Sequence, residues 1–156
     1  MTDLRGALNG EYASRPLEAI AYLVVHHTGA NVDNTPEQID AYHRTLVDSY
    51  GNLWPGIGYH MVVKQTGEVY YVGDARTKRA NVYGRNGEVF GIVLCGDFST
   101  RQPNPAQIAG AKAAIRFALE EIGRGVPIVG HREAALTISP TSCPGDTWPE
   151  WKDKLF

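Results

Sequence analysis

The sequence predicts an α/β fold: a single domain with a central mixed β-sheet of about five or six strands flanked by helices. Two observations carry this. Short apolar, β-branched runs recur along the chain, and two segments with helix-start signatures lie irregularly between them. With 156 residues the chain is long enough to bury about 70% of its unfolded surface as one domain, 1–156, without a disulfide.

Ala19 to His26 forms the first buried strand. Thr35-Pro36-Glu37-Gln38 then opens a helix, with Thr35 as N-cap, Pro36 at the first helical position and Gln38 completing a capping box. Ile39, Tyr42, Leu46 and Tyr50 follow as one apolar stripe. Gly51 to Gly58 reads as a loop, and Tyr59 to Lys64 and Val69 to Gly73 as a hairpin turning at Gln65-Thr66-Gly67-Glu68. Residues 74–88 are polar and glycine-containing, a long surface loop of the kind that often serves function. Phe90 to Gly96 is another buried strand. Asn104-Pro105 opens a second helix with Ile108, Ala111, Ile115, Leu119 and Ile122 on one face and Gly123 near its end. Pro127 to Gly130 is a short strand, and Trp148 to Leu155 a last short helix.

Composition excludes several classes. A formal net charge of −2 argues against nucleic acid as the main partner. No apolar stretch approaches the roughly 20 residues of a membrane span. The N-terminal MTDLRGALNGEYASRP lacks the hydrophobic core of a signal peptide, so synthesis in a cytoplasm is expected, an export signal removed beforehand remaining open. The two cysteines, Cys95 and Cys143, are expected as free thiols.

Chemistry concentrates where strands run out into loops. Of the five histidines, His43 and His60 read as structural, whereas His26, His27 and His131 sit at strand ends. Alternation along a strand sends His26 and His27 to opposite faces. Cys143 lies in a polar, proline-flanked loop, unlike Cys95 in its apolar run. Two histidines and Cys143 converging would make a three-ligand metal site with an open fourth position. Spacing alone leaves open a thiol hydrolase in which His131 activates Cys143, and a copper site, for which Met1 and Met61 are the only methionines.

VVHHTGA, GIGYHMVV, GHRE and SCPGD, in that order, resemble the zinc-dependent N-acetylmuramoyl-L-alanine amidases, a family that includes phage amidase-type lysozymes and the peptidoglycan recognition proteins. The resemblance runs from about Tyr22 to Trp151. It implies one Zn²⁺ held by His26, His131 and Cys143, with Tyr59 facing the metal and assisting the reaction. Thr141 stands where many phage members carry lysine, and Val93 where some bacterial members carry a glutamate. Asn81 replaces a groove histidine, whereas Asn86 is kept. The implied reaction is hydrolysis of the amide between N-acetylmuramic acid and L-alanine of peptidoglycan, with Tyr59 and Thr141 in catalytic roles. Thr28, Trp54, Asn81 and Asn86 are the expected substrate contacts. The expected partner is bacterial peptidoglycan, met by a monomer that is either a phage lysin or a secreted domain. A non-catalytic peptidoglycan-binding module is the alternative; such members generally lack the ligand cysteine, which favours an enzyme here.

Overall fold

The computed structural model describes all 156 residues. Six strands form one sheet in the order β1-β4-β3-β5-β2-β6: β1 (Thr2–Asp3), β2 (Tyr22–His27), β3 (Met61–Val63), β4 (Val69–Tyr71), β5 (Val89–Leu94) and β6 (Ile128–Gly130). Only β3 and β4 are antiparallel. Both faces of the central pair are covered, which is why β2 and β5 are near-continuous apolar runs. Their register aligns Tyr22 with Val89 and carries on to His27 opposite Leu94.

On one face lies α3 (Pro105–Ile122). The Asn104 side chain accepts from the Gln107 N–H at 2.8 Å, Pro105 occupies the first turn, and Gly123 ends the helix at φ 79°. Its Ala111, Ala114, Ile115, Ala118 and Ile122 pack on Leu23, Val25, Ile92 and Leu94. The C-terminal α5 (Trp148–Trp151) closes the same core with two tryptophans in edge contact at 4.7 Å. The opposite face carries α2 (Pro36–His43), loop 74–88 and the short α4 (His131–Ala134), packed over Val24, Val62 and Val93. No helix is long and apolar enough to cross a membrane.

Three local expectations needed correction. The first helix has the expected Thr35–Gln38 capping box but stops at His43. Thr45 Oγ1 donates to the Tyr42 carbonyl, and the Asp48 carboxylate collects the N–H groups of Tyr50 and Asn52. These side chains compete with helix continuation, so Tyr50 stands 89% exposed at a loop tip instead of extending a stripe. The N-terminus adds an unforeseen edge strand, β1, and a one-turn helix, α1 (Arg5–Leu8). Loop 74–88 is also more than a surface loop, since Ala75, Arg79 and Val82 are buried.

That loop is strapped down by two buried arginines that meet carbonyls in place of carboxylates. Arg79 donates to the Ile57 carbonyl at 2.9 Å and to the carbonyl and side-chain oxygens of Asn9. Arg15 donates to Val89 O at 2.7 Å and Ala75 O at 3.0 Å. Burial lowers both guanidinium groups to about 10, which leaves them charged at neutral pH. His60 completes the strap. Its Nδ1 accepts from the Gly91 N–H at 3.0 Å, so Nε2 carries the proton and donates to Thr77 O at 3.0 Å.

Burial, and then the neighbouring Arg15, hold His60 well below the usual histidine range; burial takes His43 down to about 4. Both rings fold neutral, whereas the unfolded chain protonates them near pH 6.5. Their contribution is therefore complete above that value and is lost as pH falls toward the folded-state values. In the metal-free protein the unfolding free energy from urea titration, and with it the midpoint, should fall between pH 7 and pH 5, by about 2 kcal/mol for His43 and in the same direction for His60. A midpoint independent of pH across that window would show that the rings are not held neutral.

Candidate metal centre

Three elements bring His26, His131 and Cys143 together. The first is the end of β2. Along this strand, alternate N–H groups serve β5 (Tyr22 to Glu88 O, Thr28 to Leu94 O), and the one at Leu23 serves the β6 side at Pro127 O. Because β6 turns into α4 after Gly130, the His27 N–H finds no strand partner and points instead at Cys143 Sγ, 3.4 Å away. The second element is α4, whose first residue is His131. Glu133 anchors it by accepting from the Gly130 N–H at 2.9 Å and from Trp148 Nε1 at 2.8 Å. The third is the Cys143 loop, tied to α4 by the Arg132 N–H donating to the Cys143 carbonyl at 2.7 Å.

The ligand atoms of the three residues all lie within 4.8 Å of one another. His26 Nδ1 stands 3.8 Å from Cys143 Sγ. A tetrahedral zinc with ordinary Zn–N and Zn–S bonds would separate such a pair by about 3.6 Å, so the donors fit that ion. Their chemistry fits too. Burial, and then the proximity of His131, hold His26 well below the usual range, and burial takes His131 to about 4, so both rings are neutral with a lone pair available. Burial pushes the Cys143 thiol up to about 12, only partly offset by the His27 N–H. An unassisted thiolate nucleophile needs the opposite shift. Met61 is buried in the core on the α3 face, which leaves this centre without a methionine of the copper type.

His27 faces the other way. Its ring accepts from the Phe98 N–H at 3.2 Å through Nδ1, which stands 3.9 Å from Asp97. Strand alternation thus holds to the last residue of β2.

The other expected site residues divide by position. Tyr59 is half-buried with its ring 5.1 Å from that of His26, and burial, then Cys143, raise its phenol so that it stays protonated. Thr141 Oγ1 accepts from the Cys143 N–H at 3.1 Å. The Thr28 hydroxyl is engaged with Gly96 at the end of β5. Trp54 packs edge-on against His43 at 5.2 Å. Asn81 Oδ1 faces His26 Nε2 at 3.1 Å, and Asn86 Oδ1 caps the turn by accepting from the N–H groups of Asn81 and Val82.

His26, Thr28, Trp54, Tyr59 and Asn81 border one cavity of about 360 Å³ with His131 and Cys143. It opens at both ends. Thr28 and Tyr59 are shared with a groove along α2, whereas Trp54 and Asn81 are shared with a groove between loops 47–54 and 80–86 that also takes in Asn86. Thr141 is not among the lining residues.

One cleft residue escaped the sequence reading. His43 is buried, accepts from the Gly58 N–H at 2.8 Å through Nδ1, and lines both the central cavity and the α2 groove. Its spacing of four from the buried Ile39 was the available signal, because i and i+4 share a helix face.

A family model described as N-acetylmuramoyl-L-alanine amidase matches residues 16–146. The chain belongs to the N-acetylmuramoyl-L-alanine amidase family. Among solved structures, the endolysin of a Thermus scotoductus bacteriophage is 29% identical, with TM-score 0.75 and 98% of this chain and 97% of that one covered. The N-acetylmuramoyl-L-alanine amidase LysC from Clostridium intestinale is 26% identical, with TM-score 0.73 and 99% and 95% covered. Peptidoglycan-recognition protein SC1a/b of Drosophila simulans is 28% identical over 135 residues, 81% of this chain and 68% of that protein. The family match takes in His26, Tyr59, Asn81, His131 and Cys143 of this amidase-family chain and leaves β1, α1 and α5 outside.

Protonation at the centre is testable by alkylation. In the folded, metal-free protein at pH 8, Cys143 should react with iodoacetamide at least tenfold more slowly than in the urea-unfolded chain, because little thiolate is present. Equal site-resolved rates by mass spectrometry would contradict a buried, protonated thiol.

Proposed function

We propose that this chain is a zinc-dependent amidase that hydrolyses the bond between N-acetylmuramic acid and L-alanine in peptidoglycan. The observation that carries this reading is the convergence of His26, His131 and Cys143 at the middle of a cleft open on both sides. A bond joining a glycan to a peptide needs room for an extended chain on each side of the reacting amide, and this cleft offers it.

Zinc, when bound by these three side chains, supplies a Lewis acid and lowers the pKa of water to about 7. The remaining work falls to the protein. His26 and His131 offer neutral nitrogens without first releasing a proton, whereas Cys143 gives up its thiol proton on binding metal. The His27 N–H then meets a thiolate, a stronger acceptor than the thiol. Tyr59, kept protonated by burial, donates a hydrogen bond to the oxygen on which negative charge develops. Thr141 Oγ1 accepts from Cys143 N–H and retains its own O–H to donate. Val93, opposite His26 in the β2–β5 register, is apolar and offers no base, so the proton that the attacking water loses passes to the leaving amine through water, or with Tyr59 as a relay that gives one proton and takes up the other. Trp54, His43 and Tyr59 form walls beside the reacting amide.

In this reading the partner is the bacterial cell wall, met by a monomer acting as a phage lysin or as a secreted domain. Likeness to the Thermus phage endolysin and to the recognition proteins supports the cell-wall assignment.

Digestion of purified peptidoglycan should release new L-alanine amino termini, and EDTA should abolish the release. New reducing sugar ends would refute amidase chemistry, activity that survives chelation would refute the metal, and wall binding without cleavage would favour the recognition module. Tyr59→Phe should bind zinc normally and lose roughly 10²–10³ in kcat; unchanged turnover would remove the tyrosine from the mechanism.

A further inference from the structure

We propose that Asn81 is a positioning residue for His26: its side-chain carbonyl fixes the imidazole as the Nε2–H tautomer and so presents Nδ1 to the metal. This rests on the zinc reading above and adds a role for a side chain expected from sequence to touch substrate.

The assignment follows from which atoms are committed. Asn81 Nδ2 donates to Gly58 O at 3.1 Å and to Arg79 O at 3.2 Å, which uses both amide hydrogens. The amide is therefore not free to flip, and the atom 3.1 Å from His26 Nε2 is the oxygen. An acceptor there requires the ring proton on Nε2 and leaves the Nδ1 lone pair directed to the side of Cys143, 3.8 Å away. With both hydrogens engaged, the same amide has no donor left to offer a substrate.

The surrounding fold is shaped to hold this side chain in place. It lies across Gly91 of β5, where a Cβ would stand 2.6 Å from Asn81 Oδ1 and 2.7 Å from its Cγ. Any larger residue at 91 would push the amide away from His26. The Asn81 N–H is itself held by Asn86 Oδ1 at 3.0 Å, and the preceding Arg79 is locked to Ile57 and Asn9. Asn81 thus reaches His26 from a loop with little freedom. Such partners orient a metal-binding imidazole and raise its basicity, and their loss typically costs 10–100-fold in metal affinity.

Two measurements test this without relying on turnover. Competition between the protein and a chromophoric chelator for Zn²⁺ should give Asn81→Ala a dissociation constant about 10–100-fold above wild type. Wild-type affinity in a folded Asn81→Ala protein, accompanied by a raised KM, would overturn the proposal and return Asn81 to substrate binding. Long-range ¹H–¹⁵N spectra of the metal-free wild-type protein at pH 7.5 should show His26 as the Nε2–H tautomer. This arm needs no variant, and an Nδ1–H ring would overturn the proposal by itself. Failure of the wild-type chain to take up zinc would instead strike the metal reading, so the two failures are distinguishable.

Discussion

The site depends on β2 remaining extended and paired with β5 through His27. Strand pleating then forces consecutive residues onto opposite faces, with His26 in the cleft and His27 against Phe98. The same geometry alternates the backbone donors. The His27 N–H would have continued the ladder toward β6, and it reaches Cys143 Sγ because β6 has already turned into α4. Both residues of the pair therefore serve the same centre, His26 through its ring and His27 through its backbone. A kink or bulge one residue earlier would exchange the two faces and remove the donor from the sulfur.

The second constraint is the set of straps over loop 74–88. A buried guanidinium costs several kcal/mol in desolvation unless its donors are met. Arg15 and Arg79 meet this requirement with carbonyls spread over the N-terminal segment, the Ile57 turn and the start of β5. Removing either arginine would leave those carbonyls unpaired. The straps hold Asn81 over Gly91 and one wall of the cleft beside Trp54. Asn9 and Arg15 lie just before the region that matches the family model, so in this chain the N-terminal segment helps set the position of a cleft wall.

Much of the fold was legible because its signals are local. Thr35, Pro36 and Gln38 announce one helix; Asn104, Pro105 and Gly123 bracket the other; Val24 and Val25 mark a strand buried on both sides. The end of α2 was misread because periodicity at Leu46 and Tyr50 was followed past Thr45 and Asp48, whose side chains bond the local backbone. The grouping of His26, His131 and Cys143 was anticipated from their places at loop mouths and from likeness to a family, since convergence across more than 100 residues has no local signature. Arg79 and the orientation of Asn81 were not legible for the same reason, each being defined by partners distant in sequence, whereas His43 had a local signal in its spacing from Ile39.

The division of labour within the His26–His27 pair is tested most directly by zinc stoichiometry. Metal content after loading and gel filtration should fall close to zero in His26→Ala. In His27→Ala it should stay near one ion per chain, because that substitution leaves the backbone donor to Cys143 in place, and its main cost should be stability. Equal loss of zinc from both variants would contradict the strand geometry on which the site is built.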